Sequence, residues 1–174
     1  MKQTLSKITI MVQTQEPEVK ELEITDYEGR MRVVGVEKFN ATSYIAVINF
    51  YLNERDMQRH SGAKGVLVLY LDSENAGKIF KGLGIAFDDD EDDVSMLNAC
   101  SQFAKTIGED LKGRLAASGY PNLFISEPDS FKNSLLEGVE FSADQKTKHE
   151  FSFFYLKRKT IVVELSFADI PKSR

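Results

Sequence analysis

Of the 174 residues only Cys100 is a cysteine, and only His60 and His149 are histidines. A lone thiol closes no internal disulfide, and one thiol with two imidazoles falls short of a standard zinc set. The same scarcity limits nucleophilic catalysis, because His60 stands in a polar stretch, His149 opens a strand-like run, and neither is near a nucleophile elbow. No GxxxxGK[ST] loop is present, and Gly82-Leu83-Gly84 follows a helical pattern where a dinucleotide turn must follow a strand. No apolar run approaches the roughly 20 residues that a membrane helix requires. The opening MKQTLSKITIMVQTQEPE lacks the continuous apolar core of a signal peptide. Positive charge is in the minority, with 22 Lys and Arg against 27 Asp and Glu for a net charge of −5. That is the wrong overall field for nucleic acid or an anionic bilayer. The expectation is a soluble, cytoplasmic protein with no nucleic-acid partner and no membrane insertion.

Repeats, Pro-rich or Gly/Ser-rich linkers and shifts of composition are also lacking, so residues 1–174 read as a single domain, with a β-rich segment at 1–40. Ile8, Ile10 and Val12 alternate with polar or smaller residues, as do Leu22 and Ile24, then Met31, Val33 and Val36. ATSYIAVINFYL (41–52) and GVLVLYL (65–71) are β-branched and aromatic, and the polar stretch 53–64 between them predicts an antiparallel pair joined by a loop. Ser73 is a reasonable N-cap for a short helix carrying Ala76, Ile79, Phe80 and Leu83, stopped by Gly82 and Gly84. Leu97, Cys100, Ala104, Ile107, Leu111 and Leu115 hold a helical period until Gly119 and define a long second helix. A short strand at 122–126 and a connector at 128–138 follow. Two strands then close the chain, with Lys157-Arg158-Lys159 as their turn. The fold class is α+β, an antiparallel sheet packed with a short and a long α-helix.

The acidic run from Asp88 to Asp93 suits the positive end of the long helix, and it lacks the glycine and the alternating ligand positions of a calcium loop. Lys146, Lys148 and Lys157 to Lys159 form a basic patch without interleaved aromatics, which reads as a solvated hairpin tip. The long helix is more informative. With Leu97 at zero and about 100° per residue, its apolar stripe centres near 310°, whereas Asn98 falls at about 100°, Gln102 at about 140°, Lys105 at about 80° and Ser95 at about 160°. Asn98 and Gln102 therefore form either an ordinary solvated face or a rigid amide platform able to hold a water against an electrophile brought by a partner.

The stretch GAKGVLVLYLDSENAGKIFKGLG, the acidic run, and then SMLNACSQFAKTIGEDLKGRLAASGYPNLFISEP resemble the CheC/CheX chemotaxis phosphatase family over roughly residues 41–128. The resemblance lies in the order of parts: a strand hairpin, a short helix, an acidic linker, a long helix ending in Gly-Tyr, and a strand. It implies a protein that hastens loss of the phosphoryl group from the aspartate of CheY-type response regulators. The family uses an exposed Glu-x-x-Asn on the long helix, in which Asn places the attacking water and Glu engages a lysine of the regulator. Asn98 stands at the Asn position and Ser95 at the Glu position, a serine that cannot form that ion pair. Glu91 is too far along the axis to replace it, and the only literal Glu-x-x-Asn, Glu37 to Asn40, lies in a strand-like region. The resemblance implies catalytic roles for Asn98, Ser95 and Gln102, no cofactor of the chain's own, and Mg2+ carried by a CheY-like receiver. Its alternative is a binding or scaffold module that has lost catalysis. The β-rich front departs from the amphipathic helix that typically opens the family, and an added edge strand would suit a homodimer.

Overall fold

A computed structural model describes residues 16–24, 38–89, 91–132 and 145–172. The strands are β1 (Glu18–Glu23), β2 (Ser43–Tyr51), β3 (Gly65–Asp72), β4 (Phe124–Ile125), β5 (Asp129–Lys132), β6 (Thr147–Tyr155) and β7 (Arg158–Phe167). The helices are α1 (Glu54–Gln58), α2 (Ser73–Leu83) and α3 (Asp93–Ala117). The strands form one antiparallel sheet in the order β1-β6-β7-β3-β2-β4, with β5 also on the outer edge of β2. The alternations at 8–12 and 31–36 lie outside the described residues.

Side chains alternate across the pleat, so each strand serves two layers. Tyr44, Ala46, Ile48 and Phe50 of β2, Leu67, Leu69 and Leu71 of β3, and Ile161, Val163 and Leu165 of β7 face α2 and α3 in the larger core. Their neighbours Ile45, Val47, Val66, Val68, Tyr70 and Val162 join Phe39 in a second cluster on the far face. This two-sided burial explains why β2 and β3 read as nearly continuous apolar runs. Helix α3 lies close against the sheet at Gly108, where a Cβ would come within 3.1 Å of Ile48 Cδ1. Among the described residues no helix is long and apolar enough to cross a membrane.

Several local expectations are corrected. The N-cap of α2 is Asp72, not Ser73: its carboxylate accepts from Glu74 N at 3.2 Å and Asn75 Nδ2 at 2.7 Å. Residues 53–64 contain a helical turn, because Asn53 accepts from Asp56 N at 2.9 Å and caps α1. The connector expected at 128–138 begins as β5, which pairs with Tyr44 to Val47 of β2. Between β4 and β5, Ser126 replaces the ladder, with its N–H donating to Asn49 O and its Oγ accepting from Asn49 N, both at 3.0 Å. The closing turn is Leu156-Lys157, both at positive φ (49° and 67°), and β7 begins at Arg158. That geometry matches the tight hairpin turns whose twist suits paired strands.

The far face also carries buried charge. Glu164 receives Lys38 Nζ at 2.5 Å, Lys148 Nζ at 3.1 Å and Tyr70 OH at 3.0 Å, and Lys38 also reaches Glu150 at 2.7 Å. Lys148 is therefore buried here rather than part of a solvated patch, because the pleat turns it inward beside Glu164. Burial alone would lower the pKa of Lys38, but the charges and hydrogen bonds of Glu164 and Glu150 outweigh it and the value rises. Burial would raise the pKa of Glu150, and the Lys38 hydrogen bond and charge outweigh that too, so it falls below the carboxylate norm.

The two shifts have opposite consequences. Stability from Glu150 is present above its unfolded pKa of 4.5 and lost as pH falls through the lowered folded value. Stability from Lys38 is present below 10.5 and lost as pH rises through the raised folded value. Lys38→Met should cost about 3 kcal/mol at neutral pH by stranding Glu150 and leaving Glu164 to Lys148 and Tyr70 alone. It should also reduce the alkaline fall in urea midpoints that the raised Lys38 value predicts for the wild type, and an alkaline arm unchanged by Lys38→Met would contradict this account. Gly65 has a different constraint, since a Cβ there would overlap the ring of Phe167, which packs against Phe50 with centroids 5.0 Å apart. Gly65→Ala should lose about 1–3 kcal/mol by overpacking. Adding Phe167→Leu should return part of that loss in a double-mutant cycle, and strict additivity would rule out the clash.

Candidate functional site

The outward side of α3 is defined by what the opposite side buries. Met96, Ala99, Cys100, Phe103, Ala104, Ile107, Gly108 and Leu111 are inside, so the stripe takes in Met96 and Phe103 while Leu97 is only half-buried. Cys100 is fully buried, and that burial pushes its thiol pKa up, so it is a core residue and no nucleophile. Asn98 and Gln102 are exposed, one helical turn apart. Among the described residues neither amide side chain has a hydrogen-bond partner. Lys105 continues the same face and donates to both oxygens of Glu127, at 2.7 and 2.8 Å, across from the segment between β4 and β5.

Ser95 stands apart from its neighbours on this face. It is half-buried, and its Oγ accepts from Asp88 N at 2.9 Å and more weakly from Asp89 N at 3.5 Å. The serine thus folds the acidic linker onto the first turn of α3, a role that a helix wheel cannot show because the partner comes from outside the helix. Asp92 is the N-cap, accepting from Val94 N at 3.1 Å and Ser95 N at 3.2 Å, and Asp89 accepts from Glu91 N at 2.9 Å. Glu91 therefore precedes the helix and does not share its face in regular register. The acidic run starts the helix as expected, and among the described residues no group of His, Cys, Asp and Glu could hold a metal ion.

A second set of contacts fixes the helix to the sheet. Asp93 accepts from Tyr44 OH at 2.9 Å and Lys132 Nζ at 2.5 Å. The Lys132 and Tyr44 hydrogen bonds hold the Asp93 carboxyl below its usual range. Burial, followed by the Asp93 hydrogen bond and charge, pushes the Tyr44 phenol up to about 12. Tyr44 belongs to β2 and Lys132 to β5, so α3 begins at a fixed point of the sheet. Asn98 lies little more than one turn beyond that point. Sequence reasoning missed this latch, because its members are distant in the chain and each has an ordinary local role.

No protein-family model matches the chain, and no curated protein sequence does. Solved structures do match. A CheC-like superfamily protein from Shewanella sp. PV-4 shares 12% identity at TM-score 0.57, over 95% of this chain and 92% of its own. The chemotaxis protein CheX from Vibrio vulnificus shares 14% at TM-score 0.55, over 94% and 93%. A chain of the CheX–CheY–BeF3–Mg2+ complex from Borrelia burgdorferi shares 15% at TM-score 0.54, over 95% and 94%. The architecture is the α+β fold of CheC-like and CheX chemotaxis proteins.

Ser95→Ala should release the linker with little effect on the helix itself. The expected result is faster hydrogen exchange at the Asp88 and Asp89 amides and a stability loss of about 0.5–1 kcal/mol. Unchanged exchange at both amides would mean that Ser95 does not hold the linker.

Proposed function

We propose that this chain docks a phosphorylated CheY-type receiver domain on the outward face of α3 and hastens loss of its aspartyl phosphate. The observation that carries the reading is Asn98, an exposed amide without a partner among the described residues, on a helix of 25 residues fixed at its start and along its inner face. The likeness to a chain from a CheX–CheY complex supports the class of partner. In this reading the Asn98 amide accepts from and donates to a water, holding it in line with the phosphorus. Such positioning removes orientational freedom from the attack without any nucleophile on this chain. Gln102, one turn on, steadies the same water or the docked backbone. The chain supplies no cofactor, and Mg2+ comes with the receiver, where it neutralises charge on the phosphoryl oxygens.

Ser95 favours a second reading. Its hydroxyl is engaged with the linker amides and has no charge to offer a partner, which suits a module that binds a receiver without dephosphorylating it. A homodimer through β1, whose outer edge pairs with no other described strand, belongs to that scaffold reading.

The test is the decay of phosphorylated CheY-like receivers with and without the protein. Acceleration that Asn98→Ala lowers at least about 100-fold, with receiver binding retained, is the expected outcome. Binding without acceleration, unchanged by Asn98→Ala, would remove the enzyme and leave the scaffold. Ser95→Glu should raise the rate if docking geometry is intact.

A further inference from the structure

Where the β6–β7 turn meets the segment before β2 lies a cavity of about 430 Å3, lined among the described residues by Lys38, Phe39, Asn40, Arg158 and Lys159. Three cations in one small concavity would repel one another unless something stood behind them. Behind Lys38 stand Glu150 and Glu164, at 2.7 and 2.5 Å. Arg158 is held by Glu74 at 2.8 Å and more loosely by Asp72 at 3.4 Å. Asp72 and Glu164 are completely or almost completely buried, so a solute entering from solvent meets the nitrogens first. Among the described residues these contacts leave N–H groups on both cations without a hydrogen-bond acceptor, since an ammonium has one more donor than Lys38 uses on its two carboxylates and a guanidinium has several more than Arg158 uses, while the Lys38 ammonium also lies 5.4 Å from the centre of the Tyr70 ring. Lys159 differs in that its ammonium sits 6.0 Å from the centre of the Phe39 ring and pairs with no carboxylate among the described residues. The exposed Asn40 adds an amide to the rim.

Such a network is difficult to justify by stability alone. Enclosing Glu150, Glu164 and Lys148, with Lys38 half-buried beside them, on a sheet face that also holds Val, Ile, Phe, Tyr and buried serines costs desolvation that hydrophobic residues of like volume would avoid. The arrangement does fix the position of Lys38 at the cavity wall, and the tight Leu156-Lys157 turn fixes Arg158 and Lys159 beside it. Pre-positioned donors of this kind bind an anion with little loss of side-chain freedom. The number of donors suits a dianion, and the volume exceeds what a bare ion fills.

We propose that this cavity binds a small phosphate monoester, its phosphoryl group held by Lys159 and Arg158 and by the remaining N–H of Lys38. The site uses no residue of α3, and it stands or fails independently of the reading for that helix.

The experiment is a titration of the full chain with ribose 5-phosphate and AMP, set against inorganic phosphate and ribose, followed by amide NMR and thermal unfolding. Saturable binding of an ester is expected, with shifts at the amides of 38–40 and 157–159 and a rise in Tm that ribose does not produce. Lys159→Gln, which disturbs none of the ion pairs described, should weaken binding about tenfold or more. Arg158→Lys, which keeps the charge but loses the fork, should weaken it less. Lys105→Gln on α3 should leave it unchanged. Absence of saturable binding by either ester overturns the proposal, as does a Lys159→Gln protein that titrates like wild type. Inorganic phosphate binding as tightly as the esters would overturn the assignment to an ester.

Discussion

The close approach of α3 to β2 at Gly108 determines which side of the helix meets solvent. A helix this long could rotate about its axis to trade one apolar neighbour for another, but a larger side chain brought to the place of Gly108 would crowd Ile48. Met96, Phe103 and Leu111 are drawn inward on that side, and Asn98 and Gln102 follow outward as a geometric consequence. The latch of Asp93 to Tyr44 and Lys132 adds a polar stop at the start of the helix. Contact by dispersion along the axis and directed hydrogen bonds at its end restrict different motions, translation and rotation in the first case and fraying in the second.

The two faces of the sheet use different physics. The helix side is almost wholly apolar and includes the tilted and edge-on ring contacts of Phe80 with Phe87 and Phe103. The far side mixes an aliphatic cluster with the Glu164 network, so its interior depends on protonation, whereas on the helix side charge is confined to the Asp93 latch at the start of α3. A chain so divided can tolerate changes on one face without repacking the other, because the pleat keeps their side chains apart.

Much of this was legible in the sequence where periodicity decides the outcome. The β2–β3 pair, both main helices and the closing hairpin follow from apolar spacing, and the outward position of Asn98 and Gln102 follows from helical phase. The misses share a different origin. Asp72 competes with Ser73 for one cap, and only the backbone angle decides between them. Lys148 looks like part of a solvated patch until strand phase turns it toward Glu164, a residue 16 positions away in sequence. Ser95 reads as an outward helix residue, yet its hydroxyl is taken by amides seven and six positions earlier. Charges and hydroxyls whose partners are remote in sequence leave no local pattern, whereas apolar residues announce their environment through repetition.

The outer edge of β2 has a consequence for solubility. Its backbone is covered by two short strands, β4 with two residues and β5 with four, and the interval between them is closed by the Ser126 side chain in place of a ladder bond. Pro128, which has no N–H, stands two residues on, just before β5. An incoming strand from another molecule would find on that side no uninterrupted row of donors and acceptors to copy. This strongly apolar strand is thereby shielded from templated aggregation, without a helix or a run of charge being needed for the purpose.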